Sequence, residues 1–67
     1  MPDMNLLSQK IEDSGMPITV LADRAGILRA TFYNRLKGKG EWKASEITEI
    51  SKVLRLNKRE RDEIFLS

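Results

Sequence analysis

The 67-residue chain contains no cysteine and no histidine. The first absence excludes a disulfide scaffold and a thiol nucleophile, and the two together exclude a zinc finger. Without histidine there is no imidazole to act as a general acid or base. A cytoplasmic setting fits, because small secreted domains commonly depend on disulfides. Aromatic residues are few, and apart from Tyr33 almost none is placed to stack on an RNA base. No apolar run approaches the roughly 18 residues of a membrane span. The N-terminal MPDMNLLSQK lacks the basic and apolar regions of a signal peptide. Apolar/polar alternation never persists and β-branched residues never cluster, so no strand is expected. No carboxylates gather in an evident cleft. We therefore expect no enzyme, no cofactor, no metal and no small-molecule ligand.

What is present is an uneven charge distribution. Lysine and arginine number 12 and aspartate and glutamate 10, a net charge of only +2. Residues 24–43 nevertheless hold six bases (Arg24, Arg29, Arg35, Lys37, Lys39, Lys43) against the single acid Glu41. The remainder of the chain is net acidic. A local basic patch on a near-neutral protein is the electrostatic footprint expected for a nucleic-acid binder.

Hydrophobic spacing predicts an all-α domain of five helices, at about 4–14, 18–25, 29–37, 44–54 and 58–66, without repeats or long linkers. A chain this short buries only about 60% of its unfolded surface, so one small core is all it can build. Asp3 is the expected N-cap of the first helix and Gly15 its terminator. Leu7 and Ile11 share its buried face. Pro17 suits the first turn of the second helix. There Leu21 and Ala25 face inward, with small Ala22 at a close helix crossing. Gly26 should end that helix at positive φ, and Ile27 should turn inward. Phe32 and Leu36 give the third helix one thin apolar stripe. The fourth helix should bury Ile47, Ile50, Val53 and Leu54, with Lys43 or Ser45 at its cap. Trp42 reads better as a lid on the core than as a base-stacking residue. Asn57 and Glu60 form a capping-box pattern at the start of the fifth helix. Ile64, Phe65 and Leu66 end it, partly against the first helix and partly free for a dimer contact.

The most informative stretch is ITVLADRAGILRATFYNRLK, residues 18–37. Two short helices joined by a glycine-containing turn form a helix-turn-helix, whose second helix enters the DNA major groove in DNA-binding versions. The third helix carries Arg29, Thr31, Tyr33, Asn34, Arg35 and Lys37 and no acid at all. The pattern resembles the helix-turn-helix of the lambda-repressor-like family of Cro and phage repressors (XRE-type). It looks closest to small regulators of Gram-positive bacteria and their phages. Ala22, Gly26, Leu21, Ile27 and Phe32 carry the likeness. The segment 38–42, the terminal E-I-F and the five-helix count extend it over nearly the whole chain.

The resemblance implies a sequence-specific, repressor-type regulator that binds a double-stranded DNA operator, as a homodimer at least on DNA. Its base-reading positions fall on Arg29, Ala30 and Asn34, bordered by Thr31 and Tyr33. Its phosphate-contacting positions fall on Thr19, Lys37, Lys39 and Lys43. Two positions depart from the family pattern. Ile18 stands where glutamine often binds phosphate. Leu28 stands where serine or threonine usually caps the recognition helix, a loss of about 1 kcal/mol. Leu28 can pack inward or meet a thymine methyl. The rival reading is a protein-interaction module, antitoxin- or antirepressor-like, using Ile18, Leu28 and the IFLS tail as an apolar contact patch.

Overall fold

A computed structural model describes residues 1–66; Ser67, the last residue of the IFLS tail, lies outside the described residues. Among them the chain forms five helices and no strand: α1 (Met4–Ser14), α2 (Ile18–Ala25), α3 (Arg29–Leu36), α4 (Ala44–Leu54) and α5 (Lys58–Phe65). No helix is long and apolar enough to cross a membrane. The radius of gyration is 10.5 Å, close to the ~11 Å of a compact chain of this length.

The caps explain most of the boundaries. The Asp3 carboxylate accepts a hydrogen bond from the Leu6 N–H at 3.0 Å, which satisfies one of the orphan donors of α1. Gly15 then takes a left-handed conformation and stops the helix. Pro17 occupies the N-cap of α2 rather than its first turn, because its extended ψ of 144° places it outside the helix. The end of α2 is a Schellman motif. Gly26 sits at φ 70°, its N–H donates to the Asp23 carbonyl, and the Ile27 N–H donates to the Ala22 carbonyl. α3 ends in the same way, one residue earlier than its spacing suggested. Lys37 is the C-cap and Gly38 at φ 83° turns the chain, so the Lys39 N–H reaches the Asn34 carbonyl. α5 likewise stops at Phe65, with Leu66 as its C-cap.

Lys43 rather than Ser45 precedes α4. A lysine side chain has no acceptor, so only half of a capping box exists: the Glu46 carboxylate accepts from the Lys43 N–H at 2.8 Å. α5 has both halves, Glu60 N–H to Asn57 Oδ1 and Asn57 N–H to Glu60 Oε1. The end of α4 is a third Schellman turn, made at a cost. Arg55 adopts φ 55°, and it is the one non-glycine residue at positive φ among those described.

One core joins all five helices. It comprises Leu7 and Ile11 of α1, Leu21, Ala22 and Ala25 of α2, Ile27, Phe32 of α3, Ile50 of α4, and Ile64 and Phe65 of α5. α4 packs against α1, α2 and α5, while α3 packs against α2. The N-terminus is tied to α5 by the Asp3 N–H, which donates to the Ile64 carbonyl at 2.6 Å. Lys10 and Glu60 join the same helices at 2.7 Å. Trp42 lids the core edge-on, its ring 5.6 Å from both Phe32 and Phe65. Ile18 is half-buried and packs on the core, and Ile64 and Phe65 are buried. Of the expected apolar contact patch, only Leu28 and Leu66 remain largely exposed.

Candidate nucleic-acid interface

The α3 helix is held along one side and exposed along the other. Phe32 is fully buried and Leu36 partly so, while Arg29, Ala30, Tyr33 and Asn34 are exposed. A helix places residues three and four apart on one side. Ala30, Tyr33, Asn34 and the cap residue Lys37 therefore form one outward face, with Arg29 at its edge toward α2. Thr31 lies on the opposite flank and is half-buried. Lys39 is exposed just beyond the Gly38 turn. Lys43 comes from the far end of that loop and lines a shallow cleft with Gly26 and Ile27, which puts it beside the turn between α2 and α3. Thr19 is in the first turn of α2 and is half-buried.

One residue of the basic patch belongs elsewhere. The Arg35 guanidinium pairs with the Glu46 carboxylate of α4, and both side chains are only 13% exposed. Its Cζ also lies 5.9 Å from the centre of the Trp42 ring. A Cβ on Gly40 would stand 3.0 Å from Arg35 Nε, so the absence of a side chain at Gly40 makes room for this packing. Arg35 thus fastens α3 to α4 and subtracts one cation from the outward face. A pair separated by eleven residues across a loop has no local spacing by which to recognise it.

Arg29, the foremost base-reading candidate, is not loose. Its Nη2 donates to Asp23 Oδ2 at 2.7 Å and its Nε to Oδ1 at 3.2 Å. This two-point pair bridges the turn from α2 to α3 while leaving the arginine side chain 60% exposed. Hydrogen bonding from Arg29 holds the Asp23 carboxyl below its usual range, and the same bond raises the arginine. Asp23 was absent from the residues singled out by sequence. Its signal was an acid beside the glycine turn, six residues before the first arginine of α3.

Leu28 occupies the N-cap of α3 with no side-chain hydrogen bond, and it is 78% exposed rather than packed inward. The chain matches no family model, and no curated protein or solved structure matches it either.

Proposed function

We propose that this protein is a small sequence-specific DNA-binding regulator of the repressor type, acting in the cytoplasm of a bacterium or a phage-infected host. The outward face of α3 would lie in the major groove. One observation carries the reading: the side of α3 turned away from Phe32, Leu36 and the Glu46-paired Arg35 is exposed and acid-free, carrying Arg29, Ala30, Tyr33 and Asn34. An ordinary surface helix mixes both signs of charge, as α5 does with Lys58–Asp62 and Arg59–Glu63. The resemblance of residues 18–37 to the lambda-repressor-like helix-turn-helix supports the same reading.

In this arrangement Arg29 pairs with guanine O6 and N7, and Asn34 pairs with adenine N6 and N7. Ala30 permits close approach and meets a thymine methyl, with Thr31 and Tyr33 bordering the contact. Lys37, Lys39, Lys43 and Thr19 hold phosphates, which sets register without reading sequence. So small a module contacts few base pairs, so a homodimer on an inverted repeat follows, with half-sites about 34–36 Å apart.

Salt dependence tests the reading. Three phosphate-bound lysines give a slope of about −2.7 in log affinity against log salt, hence about 40-fold weaker binding per protomer between 50 and 200 mM salt. Lys39→Ala should lower the slope by about 1 for every sequence alike. An affinity for mixed-sequence duplex that ignores salt would contradict the reading and favour an apolar protein interface.

A further inference from the structure

The pairing of Asp23 with Arg29 leaves half of the arginine's recognition chemistry unused. A guanidinium has two edges that can offer parallel N–H groups: the side edge of Nε with one Nη, and the end edge of the two Nη atoms. Asp23 takes the side edge, through Nε and Nη2. Both hydrogens of Nη1 and one of Nη2 stay open, and one from each nitrogen forms the end edge, a fork that matches guanine O6 and N7. Both side chains are more than half exposed, so the pair contributes little to folding stability.

We propose that Asp23 is a specificity-determining positioning residue: from α2 it holds Arg29 by its side edge, so that only the end edge of the guanidinium faces the bases. This rests on the DNA-binding reading above and deepens it. Three physical consequences follow. First, an arginine fixed at two points has lost most of its rotamer freedom before binding, so less is lost on contact. Second, a fork held on Asp23 swings less often to a neighbouring phosphate, which is the sequence-blind contact an unrestrained arginine beside DNA would make. Third, Asp23 adds a negative charge close to the phosphate backbone, which penalises every complex equally. Only a guanine that fills the fork offsets that penalty. A penalty common to all sequences cancels from the comparison between them, so the charge lowers affinity while the held fork supplies the discrimination. Asp23 therefore weakens binding to arbitrary duplex and sharpens discrimination at one base pair.

These two effects have opposite signs, which separates the proposal from a merely structural role. The test is selection from a randomised duplex DNA pool with wild type, Asp23→Ala, Asp23→Glu, Arg29→Ala and the Asp23→Ala/Arg29→Ala double variant. Affinity for unselected duplex is measured alongside. In the expected result the wild type shows a guanine preference that Arg29→Ala abolishes. Asp23→Ala reduces that preference by part of the roughly 5- to 150-fold that a whole bidentate contact supplies. It also binds unselected duplex more tightly than wild type. Asp23→Glu restores part of the preference, and adding Asp23→Ala to Arg29→Ala changes that preference no further.

If Asp23→Ala keeps the full guanine preference, the proposal fails while the DNA reading stands. That includes the case in which affinity for the selected site rises, which would make Asp23 an inhibitory latch instead. If the wild type retains no DNA at all, both fail together. A loss of stability in Asp23→Ala without a change in base preference would assign the pair to the fold alone.

Discussion

Glu46→Gln isolates the fastening between α3 and α4. The substitution keeps shape and one acceptor oxygen, so the Lys43 N–H can still be capped, but it removes the charge opposite Arg35. Removing one partner of a fully buried ion pair costs about 3–5 kcal/mol, because the other charge is left without compensation. Here both side chains retain 13% exposure, and water reaches part of the guanidinium, so a loss of about 1–3 kcal/mol is expected. A domain of 67 residues has only about 3–10 kcal/mol in total. Urea unfolding followed by the fluorescence of Trp42, the single tryptophan, measures the effect. With a slope of about 1 kcal/mol per molar urea, the midpoint should fall by about 1–3 M. Arg35→Met added to Glu46→Gln should recover most of the loss, since it removes the uncompensated charge while the Lys43 N–H keeps its acceptor. A midpoint shift for Glu46→Gln no larger than that of Lys58→Ala, whose lysine is 81% exposed, would refute the assignment of Arg35 to the fold.

Further outcomes follow from the caps and charges. Arg55→Gly should stabilise the domain by about 1 kcal/mol, the usual cost of holding a side chain at positive φ, and thermal unfolding would show it. Leu28→Ser should supply the missing cap of α3 and add about 1 kcal/mol. It should also alter DNA selection if Leu28 meets a thymine methyl. Glu60 is held below its ordinary 4.5, first by the Asn57 N–H and then by Lys10. A carboxyl lowered by folding contributes stability above its unfolded pKa and loses that contribution as pH falls through the lowered one. The urea midpoint should therefore hold from neutrality down to about pH 5 and decline below 4.5. Glu60→Gln should lessen that decline, the rest of which Asp62 and Asp23, also lowered by their ion pairs, carry.

Local chemistry made the helices legible. Asp3, Gly15, Gly26 and the Asn57/Glu60 pair each act within a few residues of themselves, so their conformations can be read from order alone. The stripe of Phe32 and Leu36 was legible for the same reason, since a helix brings i and i+4 together. Ile18 shows the limit. Helical spacing sets Ile18 beside the core-facing Leu21 and Ala25 while the protein-interaction reading exposes it, and it is half-buried against the core. Arg35 shows it more sharply. Chain order counts it as one more cation beside Arg29 and Lys37, whereas Glu46 and Trp42 claim it from across a loop. Asp23 and Arg29 are six apart, a separation that no single helix brings together and that the Gly26 turn does. The ends of α3 and α5 each fell one residue short because the terminating residues, Lys37 and Leu66, could equally have continued a helix.

The outward face of α3 is proposed to read DNA sequence. Retention and sequencing of a randomised duplex pool by the wild-type protein, at 50 and 200 mM salt, tests it most directly. An enriched inverted repeat containing guanine and adenine contacts is expected, with half-sites about one helical turn apart, retained far less at the higher salt. Failure to retain any duplex at 50 mM, or retention without sequence enrichment, would contradict it.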